Sequence, residues 1–212
     1  MKILKGILLI ALALVLIGSR SIQADGPVPL HDQSDYTHAG TEMIFPEHIG
    51  KFQRVQITQF APEEKDVGIG YNFYDPVSPI SATVYIYLAP SVVSIGSSPE
   101  VAETTKDLMF QSHLNDVKRE IMQVHPDAKL ISENSCVVTI GEQSHKGQEV
   151  TFEFAYVFGT KPQDSISQLY LFQHDGWMIK YRFTFPKVTA VTSEAVVMDF
   201  LKKLVWPTKG NS

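Results

Sequence analysis

Apolar residues alternate with polar residues along most of this 212-residue chain, and the spacing changes to a helical one in two places. Alternation with a period of two is typical of β-strands. It predicts strands over 52–60, 68–75, 81–88, 130–140, 148–158, 166–173 and 177–185. Helical spacing predicts a long helix over 99–124 and a second helix over 192–206. The predicted order is β-β-β-α-β-β-β-β-α.

The predicted strands are mostly joined by short connections, and Asp175-Gly176 is typical of a tight hairpin turn. Strands joined by hairpins pair antiparallel. We therefore predict one α+β domain over 45–207, a layered sandwich with a largely antiparallel sheet of about six to seven strands, a long crossover helix and a C-terminal helix. Residues 25–44 are polar with two prolines and predict a flexible N-terminal arm, and 208–212 predict a frayed tail.

Lys2 and Lys5 precede an apolar segment that runs without a break over 7–17, and small residues follow this segment up to Ala24. This pattern is typical of a secretory signal peptide, and the apolar run is too short to span a bilayer comfortably. We predict cleavage after Ala24 and a soluble exported chain, periplasmic or secreted. No Cys stands directly after the run, where the sequence reads GSRSIQADG, so lipid anchoring is not expected. An uncleaved membrane anchor is the alternative, and it would export the same residues.

The composition of the mature chain limits its partners and its stabilising bonds. The whole chain has 18 basic and 23 acidic residues, and removal of residues 1–24 takes away three basic ones, which changes the formal charge from −5 to −8. An acidic chain without a Lys/Arg cluster does not predict nucleic-acid or anionic-lipid binding. The single cysteine, Cys136, cannot form a disulfide within the chain, so stability must come from the core. We predict that its thiol is buried.

No segment carries a common catalytic or metal-binding signature, because G-x-S-x-G, H-E-x-x-H and paired C-x-x-C motifs are absent. The densest group of potential metal ligands, over 31–38, falls in the predicted arm, which would not fix a coordination geometry. His174-Asp175 falls at a predicted turn. We therefore assign no catalytic residue, no metal and no cofactor, and expect the protein not to be an enzyme.

Four residues form the candidate binding site. Tyr85 and Tyr87 lie opposite the aliphatic face of their strand, and Lys180 and Arg182 lie on the less apolar face of theirs. If the two strands are near each other, this polar-aromatic face could bind an anionic or amphipathic ligand. The alternative is a partly covered face whose long cationic side chains reach solvent.

The layout resembles the PsbP-like superfamily, which includes PsbP- and DcrB-type exported domains. Three segments carry the resemblance, namely SATVYIYL at 81–88, the long helix over 99–124, and the closing strand and helix from Gly176 to Pro207. The resemblance implies an exported, non-enzymatic domain that acts in envelope complexes or binds a ligand. Because the lipoprotein Cys and a chloroplast transit peptide are missing, it does not imply lipid anchoring or photosynthesis.

These observations predict a non-catalytic exported domain of a bacterial envelope that binds a protein partner or a small ligand. One alternative is a hydrolase whose site is assembled from dispersed His, Asp and Glu residues. Another is a carrier of apolar ligands, in which the aromatic strand faces line a cavity.

Overall fold

The computed structural model describes residues 26–30, 34–91 and 98–207 of the chain. The predicted signal peptide and the tail at 208–212 lie outside the described residues. Two helices and seven long strands follow one another in the predicted order, and four short strands precede them. The strands are β1 Val28–Leu30, β2 Tyr36–Thr37, β3 Ile44–Phe45, β4 His48–Ile49, β5 Phe52–Ala61, β6 Asp66–Phe73, β7 Ile80–Leu88, β8 Lys129–Ile140, β9 Gln143–Phe158, β10 Lys161–His174 and β11 Trp177–Pro186; the helices are α1 Pro99–Val124 and α2 Ala190–Lys203.

The described residues form one nine-stranded sheet in the order β1-β5-β6-β7-β11-β10-β9-β8, with β4 also paired to β5. Neighbouring strands pair antiparallel, and β2 and β3 form a separate two-stranded sheet. The predicted α+β class with an antiparallel sheet is confirmed. The sheet has more strands than predicted because β1 and β4, of three and two residues, are too short to show a period.

The sheet has an apolar core on each face, and one helix covers each core. Adjacent residues Met178 and Ile179 point to opposite faces and belong to different clusters. Helix α1 buries Leu114, Val117 and Ile121 on the Met178 face. Helix α2 buries its side chains on the other face, where the cluster includes Val197, Phe200, Leu201, Tyr181, Phe183 and Phe185.

The described part of the predicted arm is packed into the domain, which corrects the prediction of a loose segment over 25–44. Tyr36 and Met43 are buried in the α2-side core. His38 is also buried, and its ring meets that of Trp177 edge-on at 4.9 Å between centroids. The apolar residues of this segment are irregularly spaced between polar ones, so they give no periodic signal in the sequence.

Strand β5 departs from the predicted alternation. The sequence places Val55 and Ile57 on one face, but Val55 is 46% exposed and Ile57 is 3% exposed. A register shift between Arg54 and Gln56 in the pairing with β6 explains the difference, because an extra residue in one strand moves the subsequent side chains to the opposite face.

Helix α1 has the predicted bounds, and the Oγ of Ser98 accepts a hydrogen bond from the Val101 N–H at 3.4 Å. Helix α2 begins at Ala190, two residues earlier than predicted, and Thr189 provides no side-chain cap. No helix among the described residues is both long and apolar enough to cross a membrane.

Candidate ligand site beneath helix α1

Strands β7 and β11 are neighbours, and their pairing brings the four candidate residues onto one patch of the sheet. Lys180 lies directly opposite Tyr85, and the neighbouring pairs place Tyr87 and Arg182 on the same face. The Lys180 Nζ lies 4.3 Å from the centroid of the Tyr85 ring and 5.5 Å from that of Tyr87. The arrangement satisfies the condition under which the sequence predicted a binding face.

The second half of α1 covers this patch and leaves a cleft of about 280 Å³ between helix and sheet. The cleft is lined mostly by apolar side chains together with the two cations, one phenol and one carboxylate. Its lining residues are Phe60, Tyr85, Val117, Glu120, Ile121, Val124, Leu169, Lys180 and Arg182. The helix spacing of 117, 120, 121 and 124 places the α1 residues on a single stripe.

Burial dominates the electrostatics of the two cations. It lowers the pKa of Lys180, with the Glu120 carboxylate acting in the opposite direction, and it also lowers the pKa of Arg182. Neither cation forms an ion pair with a carboxylate of the described residues. Arg182 instead donates through Nε to the Ser167 hydroxyl at 3.3 Å, and its guanidinium lies 5.6 Å from the centroid of the Phe154 ring.

Three polar residues that the sequence analysis did not single out lie around the patch, namely Asp66, His113 and Glu120. Asp66 of β6 lies opposite Tyr87 of β7. Burial raises the pKa of Asp66, and the charge of Lys180 acts in the opposite direction. His113 on α1 lies with Nε2 2.7 Å from the Tyr87 hydroxyl, and burial lowers its pKa. A neutral ring with its proton on Nδ1 accepts a hydrogen bond from the Tyr87 hydroxyl at Nε2. His113 precedes Val117 and Glu120 on the same stripe of α1, so helical periodicity could have indicated both His113 and Glu120.

The other motifs discussed from the sequence do not converge on this cleft. His31, Asp32 and Gln33 lie outside the described residues. The His38 ring is hydrogen-bonded to the Glu64 carbonyl oxygen at 2.8 Å and to Thr41. The His174 Nε2 lies next to the hairpin turn, 3.2 Å from the Pro207 carbonyl oxygen. Among the described residues, no three His, Cys, Asp or Glu side chains are grouped so that they could hold a metal ion. Burial raises the pKa of the Cys136 thiol to about 11.

Comparisons with known proteins give no family assignment. No protein-family model matches the chain, and no curated protein matches it. A search of solved structures finds similarity to the solution structure of cyanobacterial PsbP (CyanoP) from Synechocystis sp. PCC 6803, with 14% sequence identity and a TM-score of 0.35, covering 90% of this chain and 98% of that one. A TM-score this low carries no argument about family or activity, so membership of the PsbP-like superfamily stays a prediction.

Proposed function

We propose that this protein is an exported, non-catalytic binding domain whose cleft beneath α1 takes a small organic anion. The observation that carries the proposal is the pair Lys180 and Arg182, held two residues apart on one strand, partly buried beneath a helix and without an ion-pair partner among the described residues. Removing a cation from water costs several kcal/mol unless an opposite charge compensates. A bound anion supplies that compensation.

The rest of the cleft supports a ligand that is apolar as well as anionic. Val117, Ile121, Val124 and Leu169 line the cleft with the two cations, and a volume of about 280 Å³ is just below the range of about 300–1,000 Å³ for small-molecule sites, so the ligand must be small. The Glu120 carboxylate at the cleft repels a ligand that carries more than one negative charge. A monocarboxylate with a compact apolar body fits these features better than a phosphate or a polyanion.

A binding role is supported over hydrolysis by the residues that line the cleft. Its polar groups are two cations, a phenol and a carboxylate, and no Ser, Thr or Cys nucleophile is among the lining residues that the structure describes. His113 is hydrogen-bonded to Tyr87 rather than to a nucleophile or a carboxylate. Export is inferred from the predicted signal peptide and remains part of the proposal.

The proposal is tested by calorimetric titration of the purified exported chain with benzoate, octanoate and inorganic phosphate. We expect saturable binding of a carboxylate. The Lys180→Gln and Arg182→Gln variants should each bind it about 10- to 100-fold more weakly, since a hydrogen bond to a charged group contributes about 1.5–3 kcal/mol.

Lys202→Gln is the matched control, because it removes the same charge from the exposed surface of α2. Its affinity should equal that of the unmodified chain. Failure of every carboxylate to bind, or equal weakening by the Lys202 variant, would show that the cleft is not the anion site.

A further inference from the structure

The outer edge of β8 is a long stretch of backbone with no partner strand among the described residues. The strand runs over twelve residues and pairs only with β9. Natural sheets usually protect such an edge with charges, proline or bulges, because it templates further pairing. In β8 these devices are confined to its beginning, where Lys129, Glu133 and a register shift between Leu130 and Ser132 occur. Residues 134–141 contain neither charge nor proline.

The hairpin to β9 determines which backbone groups of this edge point outward. Ile140 pairs with Gln143 across a two-residue turn whose first residue, Gly141, has a φ of +62°. In such a hairpin the closing pair exchanges hydrogen bonds, and bonded and non-bonded pairs then alternate along the ladder. The register is continuous from Glu133 to Ile140, so 134, 136, 138 and 140 bond to β9. Residues 133, 135, 137 and 139 direct their N–H and C=O groups away from the sheet.

We propose that two copies of this chain pair antiparallel along this edge, with the two-fold axis at Cys136, so that two sheets become one. About this axis Ser135 bonds to Val137 of the second copy, and Glu133 lies opposite Thr139. No residue of 129–140 then faces a like charge, and the outward backbone groups bond to each other. The same patch is thus complementary to itself, as a two-fold interface requires.

The surface beside the edge has the character of an unfilled interface. A cleft of about 660 Å³ separates the first half of α1 from strands β8 to β10. Phe110 and Val137 contribute apolar surface to it, and Lys106, Lys146 and Asp107 contribute charge. Val137 is 60% exposed, and Leu108, next to the lining residues of α1, is 67% exposed. A second copy on the axis stands against this cleft.

Sedimentation of the full chain over a range of concentrations tests the proposal. The unmodified chain should show a reversible monomer–dimer equilibrium. Val137→Lys places two like charges beside the axis and should weaken the dimer about tenfold or more. Val157→Lys, at a position on β9 with a similar exposure of 55%, should leave the dimer unchanged. Circular dichroism and unfolding of each variant verify that the fold is kept.

Cys136 reports the register independently. At the axis the two thiols form a directly opposed, non-bonded pair, the arrangement in which Cβ atoms are closest. Mild oxidation with copper–phenanthroline should give a covalent dimer, and Cys136→Ser should lose this product while keeping the reversible dimer. A chain that stays monomeric at all concentrations would overturn the proposal. So would a dimer insensitive to Val137→Lys, or a sensitive dimer that Cys136 does not crosslink.

Discussion

Lys180 is a residue whose burial is unfavourable for the unliganded fold and, under the proposed function, favourable for binding. Its ammonium is packed over two phenol rings, and burial lowers its pKa. Cation–π contact offsets only part of the loss of hydration. Residues selected for binding often reduce stability in this way.

We predict that Lys180→Met raises the free energy of unfolding of the unliganded protein by about 1–3 kcal/mol, because the apolar stem is kept and a partly buried charge with no ion pair among the described residues is removed. Urea unfolding measures the change, and Lys202→Met on the exposed surface of α2 should change stability by no more than about 0.5 kcal/mol. A destabilised Lys180 variant would mean that the ammonium is well compensated in the folded state.

The same residue should give the protein a pH-dependent stability at alkaline pH. The lowered pKa means that the unfolded chain holds the Lys180 proton when the folded chain has lost it. Stability therefore rises with pH from the lowered folded pKa up to the unfolded value of about 10.4. The advantage of Lys180→Met should shrink over that window, and urea unfolding at a series of pH values measures it. A constant difference between the two chains would contradict the prediction.

His38 should make the stability of the folded protein depend on pH in the acid range. Its Nε2 lies 2.8 Å from the Glu64 carbonyl, and its Nδ1 accepts from the Thr41 N–H at 3.1 Å, so the neutral ring satisfies both partners. Burial lowers the pKa of His38. The folded state thus resists protonation, and stability is lost as pH falls from about 6.5 toward the lowered pKa. In urea unfolding at a series of pH values, His38→Gln should flatten this part of the profile, whereas the exposed His48→Gln should not.

Helix α1 is attached to the sheet by few contacts relative to its length. Of its 26 residues only Leu114, Val117 and Ile121 are buried. The candidate ligand cleft and the open cleft beside β8 both lie under this helix. The placement of α1, rather than the sheet itself, therefore decides the shape of both surfaces.

We predict that Leu114→Ala lowers the free energy of unfolding by about 2–4 kcal/mol, since it leaves a cavity at the centre of the attachment. Hydrogen exchange should accelerate in α1 more than in β10 and β11. Leu108→Ala on the same helix is the control, because Leu108 is 67% exposed and its loss should cost little. Equal effects of the two substitutions would show that α1 is not held by this apolar stripe.

The elements that the sequence predicted well are those with strong local signals. The bounds of α1 agree with Ser98, Pro99 and the regular apolar stripe, and the β10–β11 turn agrees with Asp175-Gly176, both of which have positive φ. Short strands have too few residues for a period, and the bulge at Val55 has no distinct local signature. For the site, local alternation gave the faces of Tyr85 and Lys180. Their contact depends on the pairing of β7 with β11, which no local pattern specifies.

At the scale of the molecule, the chain order separates residues that the sheet brings together. Strand β7 precedes α1, and β11 is the last strand, yet they are neighbours in the middle of the sheet. The cleft beneath α1 is therefore built from strands that are far apart in the chain. It cannot form until β7 pairs with β11. Strand β8 lies at one edge of the sheet. That edge is built from local hairpins, because β8, β9 and β10 follow one another in the chain and pair in that order. The ligand cleft and the edge of β8 are thus built from different strands, and helix α1 is the element that they share.

The N-terminal segment also acts at the scale of the whole molecule, because it closes the α2-side core rather than extending from it. Phe45 is fully buried, whereas its neighbour Ile44 on the same short strand is 54% exposed. We predict that Phe45→Ala lowers the free energy of unfolding by about 3–5 kcal/mol and that Ile44→Ala changes it by no more than about 0.5 kcal/mol. Thermal and urea unfolding measure both. Because the two substitutions lie side by side, a large effect of Phe45→Ala alone would show that this strand belongs to the cooperative fold, and a small effect of both would contradict the prediction.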